Sequence, residues 1–177
     1  MIFEATPIAG AVIVRTDPTS DERGAFARVF CTREFATAGL NTAWPQWSMS
    51  SNDRRGTLRG LHYSVDPAPE IKLVWVARGA AFDVIVDVRR HSPSFRQWFG
   101  VELAAGAGRA LYIPAGVAHG FQTLVDHTDV IYHISEFYDP HAARGVRWDD
   151  PAFAVAWPDA PARVMSSRDA SYPDFIG

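Results

Sequence analysis

The 177-residue sequence predicts an all-β fold, a closed or double-layered sheet structure of the jelly-roll kind. Three observations predict it. Short runs rich in valine, isoleucine and aromatics recur from end to end, separated by glycine, proline or aspartate. There are more such runs than one flat sheet holds, and closing or stacking the sheet protects its edges. Helical periodicity is scarce.

The first run, residues 11–15, is β-branched and apolar up to Arg15. Runs at 28–31 and 44–51 follow, separated by the one helix candidate, 32–38, with Thr32 as N-cap, Glu34 in its first turn and Gly39 as its stop. The runs 57–63 and 71–78 are joined by the turn-rich segment 64–70. Then come 81–88, 98–103, 110–113 (stopped by Pro114), 120–124 and 130–137. The tail beyond Trp157, with Pro158, Pro161 and Pro173, is expected to run irregularly over the surface. No repeat, linker or low-complexity stretch divides the chain, so one domain is expected over residues 1–177.

Composition narrows the class. Apolar residues make up 47% of the chain, enough for a sizeable core. The net charge is -3 and no basic block tracks a phosphate backbone, so nucleic acid is not an expected partner. The start, Met1-Ile2-Phe3-Glu4-Ala5, lacks the basic and apolar stretches of a signal peptide, and no apolar run approaches the ~20 residues that span a bilayer. Cys31 is the only cysteine and is read as a small structural hydrophobe. A soluble cytoplasmic protein with no membrane partner is expected.

Among 17 basic residues only Lys72 is a lysine. An ammonium is a compact, rotatable point charge suited to a developing oxyanion, whereas guanidinium is a broad planar fork. Period-two alternation places Lys72, Val74 and Val76 on one strand face and Ile71, Leu73 and Trp75 on the other. A lysine flanked by apolar residues on both faces either snorkels out or lines a cavity. A hairpin between 57–63 and 71–78 would bring His62 near Lys72, and Asp83 is a further possible partner for the ammonium. Histidine is the usual general base, which makes His62 a candidate, although a lone strand histidine is more often a satisfied core residue. His119, delivered after the turn Pro114-Ala115-Gly116, also reads as a turn-stabilising residue, and Tyr132 as a core aromatic.

The ordered set of motifs is more specific than any one residue. Asp21-Glu22-Arg23-Gly24-Ala25-Phe26 is followed by Gly56-Thr57-Leu58-Arg59-Gly60-Leu61-His62-Tyr63 and Lys72-Leu73-Val74. Phe82-Asp83-Val84-Ile85-Val86-Asp87, Ser92-Pro93-Ser94-Phe95, Tyr112-Ile113-Pro114, Ala118-His119-Gly120-Phe121 and Arg144-Gly145-Val146-Arg147-Trp148-Asp149-Asp150-Pro151 complete it. Together they resemble the dTDP-4-dehydrorhamnose 3,5-epimerase family of deoxysugar biosynthesis, from about Ile8 to Asp169.

That resemblance implies a cupin-like β-sandwich (a double-stranded β-helix with short peripheral helices), a homodimer, and no metal or organic cofactor. It implies epimerisation of a nucleotide-linked 4-keto-6-deoxyhexose at carbon 3, carbon 5 or both. By matching position, His62 resembles the base, Asp169 the carboxylate behind it, Tyr132 the acid on the opposite face and Lys72 the enolate-stabilising cation. Arg23 and Arg59 resemble the arginines that hold a nucleotide diphosphate; Gln46 and His119 resemble polar contacts around it, and Phe26 and Tyr138 the aromatics of the nucleotide site.

These residue types suit the reaction. A proton beside a ketone is weakly acidic, and preorganised positive charge in a water-poor pocket stabilises the enolate left behind. Inversion needs removal on one face and return on the other, hence two groups. Ser48, Ser64, Trp75 and Arg28 depart from the family's frequent residues and bear on which sugar is used. A metal-dependent cupin would instead use His62 and His119 as ligands; the chain lacks the His-x-His pair and following glutamate of such sites.

Overall fold

In the computed structural model, which describes residues 1–176, two antiparallel sheets stack face to face. Strands β1 (Ile2–Ala5), β2 (Val12–Arg15), β10 (Arg109–Ile113), β7 (Lys72–Arg78), β12 (Thr128–Ile134) and β5 (Gln46–Asn52) form the first in that order. The second runs β13 (Ala143–Gly145), β6 (Leu58–Ser64), β11 (Val117–Thr123), β8 (Ala80–Asp87) and β9 (Trp98–Ala104). A separate hairpin pairs β3 (Thr19–Asp21) with β4 (Gly24–Phe26), and the helices α1 (Thr32–Thr37) and α2 (Ser167–Ala170) are short. Neighbouring strands are mostly non-consecutive in sequence, as in a jelly roll.

Alternation along the strands decides what fills the sandwich. Val74 and Val76 of β7, Leu111 and Ile113 of β10 and Val130 of β12 meet Ile85 of β8, Phe121 of β11 and Leu103 of β9. Burying each such side chain contributes about 1.5–3 kcal/mol. The outer sheet faces are covered too. Phe35 of α1, Phe30 and Trp44 pack on Val14, Leu73 and Tyr112, while the C-terminal residues Phe153, Trp157 and Phe175 pack around Leu61, Val84, Val86 and Ala118.

The expected strand at 28–31 does not form: those residues lead extended into α1, whose N-cap position is Cys31, not Thr32, with no side-chain cap. Glu34 instead accepts from the Met1 ammonium (2.6 Å) and from Arg28 (3.0 Å), ion pairs that tie the helix to the amino terminus. The tail is irregular as expected, apart from α2 and an isolated bridge between Thr57 and Val164.

At the end of β8, Asp87 is fully buried and receives Arg89 through two nitrogens (2.8 and 2.7 Å), together with the hydroxyls of Ser92 and Ser94. Burial alone would raise its pKa, but these hydrogen bonds prevail and hold it down at about 2. The sign follows from linkage. A carboxylate depressed in the folded state stabilises above its unfolded pKa of about 4, and that stability is lost as pH falls toward 2. Asp87→Asn is therefore expected to cost about 2 kcal/mol at neutral pH. In urea titrations its gap from wild type should narrow between pH 4 and 2; a constant gap would refute the charge-linked account.

Candidate active site

A cleft of about 620 Å³ opens at one end of the sandwich, lined by strands of both sheets and by α2. Its walls follow from strand alternation. Lys72 precedes Val74 and Val76 on the inward face of β7, Tyr132 follows Val130 on that of β12, and His119 lies two residues before Phe121 on β11.

Arg59 and His62 both line the cleft although they are three residues apart, which strict alternation forbids. The β6–β11 pairing shifts register between His119 and Phe121, and Gly60 sits there with φ 125°. A Cβ at Gly60 would lie 2.5 Å from the Gly120 Cα, so only glycine allows this close approach.

His62 Nε2 is 2.8 Å from Asp169 Oδ1. An ionised carboxylate only accepts, so Nε2 carries the proton and Nδ1 keeps a free lone pair. Asp169 is itself buried; Ser166 caps α2 by accepting its backbone N–H (3.1 Å), and its Oδ2 accepts the Gly60 N–H (3.3 Å). Burial tends to raise the Asp169 pKa, but its contacts with His62, Gly60 and Ser166 outweigh it and hold the carboxyl below its ordinary range.

His119 forms a second histidine–carboxylate pair, its Nε2 2.9 and 3.0 Å from the two oxygens of Asp83, and both residues are buried. Tyr132 stacks edge-on against His119 at 5.8 Å. Burial pushes the Tyr132 phenol well above its ordinary pKa, the Asp83 carboxylate adds to this and Arg59 opposes it. The phenol is thus held protonated.

Lys72 is 7% exposed, and its Nζ is ion-paired with Glu70 Oε1 (2.8 Å) and donates to the His62 carbonyl (3.3 Å). This corrects two expectations. Asp83 pairs with His119 and not with Lys72, because β8 directs it toward β11. His62 and Lys72 do approach, but across the sandwich, since β6 and β7 belong to facing sheets and not to one hairpin.

Arg59 lines the cleft with its Nε donated to Asn52 Oδ1 (2.9 Å), and Tyr138 forms part of the rim. Gln46 stands one step back, its Oε1 accepting the Tyr138 N–H (3.1 Å). Arg23 and Phe26 lie elsewhere, on the hairpin β3–β4, with Phe26 81% exposed and Arg23 paired with Asp21. Neither lines this chain's cleft. Sequence reasoning missed Glu70 and Arg168, which do line it. Glu70 stands two residues before Lys72, a spacing that signals a shared face; Arg168 adjoins Asp169, but an irregular tail carries no period from which to place it.

The family model for dTDP-4-dehydrorhamnose 3,5-epimerase matches residues 5–176. A dTDP-4-dehydrorhamnose 3,5-epimerase from Sinorhizobium fredii is 39% identical over 175 residues, covering 99% of this chain and 90% of the relative. The crystal structure of the Bacillus anthracis enzyme of that name, with TDP and PPi bound, superposes with a TM-score of 0.94 at 36% identity, covering 98% and 99% of the two chains. ChmJ, a 3'-monoepimerase from Streptomyces bikiniensis in complex with dTDP-quinovose, superposes at 0.90 with 34% identity, covering 97% and 86%.

Proposed function

The chain belongs to the dTDP-4-dehydrorhamnose 3,5-epimerase family of sugar-nucleotide isomerases, and from that premise we propose how its own residues divide the work. The enzyme epimerises a dTDP-linked 4-keto-6-deoxyhexose. His62, oriented by Asp169, takes the proton from the carbon beside the ketone. Lys72 holds the negative charge that develops on the ketone oxygen, and Tyr132 returns a proton from the opposite face. The observation that carries this reading is the meeting, in one cleft, of a carboxylate-backed imidazole, a nearly buried ammonium and a phenol held protonated.

Each group does what its surroundings allow. The Asp169 carboxylate stabilises the imidazolium formed when His62 accepts the proton. Fixed positive charge is worth most where water is excluded and no dipoles must reorganise. Arg59, Tyr138 and His119 are assigned to the nucleotide diphosphate and its surroundings, with Gln46 supporting the Tyr138 segment. Guanidinium forks suit the diphosphate oxygens, and binding at that remote end can position the reacting ring.

Solvent deuterium tests the reaction. With a dTDP-4-keto-6-deoxyglucose substrate in heavy water, NMR is expected to show deuterium at both carbons flanking the ketone. Deuterium at one alone would favour the monoepimerase reading, which the likeness to ChmJ keeps open. Deuterium at neither refutes epimerisation of that sugar.

Arg23 and Phe26 are assigned to substrate through a homodimer in which the hairpin of one protomer reaches the other's cleft. Their exposure and their distance from their own cleft support this. So does β5, an edge strand that leaves Trp47 and Met49 65% and 64% exposed. Light scattering should then give twice the 19.5 kDa chain mass; a monomer that is fully active at working concentration would sink the arrangement. No helix among the described residues is long and apolar enough to cross a membrane. A single-domain cytoplasmic enzyme is the reading consistent with a nucleotide-sugar substrate.

A further inference from the structure

We propose that Glu70 is a positioning residue for the reaction: its carboxylate, paired with the Lys72 ammonium, holds Nζ where it meets the ketone oxygen. The inference rests on the reading of Lys72 as the cation at the enolate.

An ammonium has three N–H donors and turns freely about its terminal bond. In this cleft Nζ is ion-paired with Glu70 Oε1 at 2.8 Å and donates to the His62 carbonyl at 3.3 Å. Held between these two oxygens, the ammonium has little room to move and keeps a donor for substrate in the cleft that Lys72, His62 and Tyr132 all line. Because the second acceptor is the backbone of the proposed base itself, the ammonium and the imidazole are also held in one frame.

Glu70 is built into place. Its own N–H donates to the Ser64 hydroxyl at 2.7 Å, and Ser64 is buried. The next residue, Ile71, is pinned to Ser135 twice, its N–H donating to Oγ (2.8 Å) and its carbonyl accepting the Ser135 N–H (3.0 Å). The Glu70 and Lys72 side chains are only 19% and 9% exposed. This is not a solvated surface pair free to wander.

A carboxylate beside the ammonium also offsets part of the charge that the enolate would use. Charge alone therefore gives no catalytic reason for an acid here, whereas alignment does. An amide at the same reach presents the same accepting oxygen without the charge. That separates the two explanations.

The test is a set of variants read by kcat, KM and deuterium exchange. Glu70→Ala should lower kcat and exchange roughly ten- to a hundredfold, the scale of a misdirected catalytic group, with KM within about twofold. Glu70→Gln should recover most of that loss. In a Lys72→Met background, Glu70→Ala should change the residual exchange no further, because the two act as a unit. Equal losses in the alanine and glutamine variants would overturn the alignment role, as would an undiminished effect in the Lys72→Met background. If Lys72→Met itself keeps full turnover, the reading of Lys72 fails; if it is impaired while Glu70→Ala is fully active, only the present inference fails.

Discussion

Alanine at position 62 is expected to abolish incorporation of solvent deuterium at the carbons beside the ketone, with kcat falling by about 10²–10⁴. Exchange reports the first proton removal alone, and in this cleft His62 is the group with a free imidazole lone pair and an ionised carboxylate behind it. The 41% exposed side chain faces the cleft and is not wedged in the core, so its truncation should leave the fold intact. A thermal melt close to wild type would show that the loss is chemical. Unimpaired exchange would assign the base elsewhere, with His119 the next imidazole to examine, although its contact with Asp83 leaves it buried and far less accessible.

Phenylalanine at position 132 is expected to do something different: exchange continues while inversion fails, with product formation down by about 10²–10³. The base can remove a proton and return solvent deuterium from its own face, but delivery from the other face needs the phenol. Burial and the Asp83 carboxylate both hold Tyr132 in its protonated form, and phenylalanine fills the same space against His119. Retained epimer together with washed-in deuterium is the signature to seek by NMR. Equal losses of exchange and inversion would mean that Tyr132 acts before the enolate forms.

The apolar runs of β7, β8 and β10 were legible because their side chains face packed surfaces on both sides, and such strands read as continuous hydrophobic stretches. The hairpin Thr19–Phe26 was not legible as strands, since every residue in β3 and β4 is exposed and shows no apolar alternation. Strand β1 and the three-residue β13 were too short or too mixed to stand out. Within the site, Lys72 announced itself through its apolar flanks, while His62 and Tyr132 needed the whole ordered motif set. Asp169 was beyond reach of periodicity altogether. It sits 107 residues from its histidine, in a one-turn helix that packing and a serine cap create. The crossing of His62 with Lys72 depends on which sheet each strand joins, and that is a matter of long-range pairing, which no local pattern encodes.

The slipped register around Gly60 makes β6 a ruler. Arg59 and His62 are carried three residues apart on one strand, with no hinge between the proposed phosphate clamp and the proposed base. A substrate is then measured from its charged linkage to its reacting carbon. A sugar carried on a linkage of another length would meet the imidazole out of place when gripped by the arginine. Selection for a diphosphate-linked sugar can in this way reside in backbone geometry, without any contact to the sugar hydroxyls.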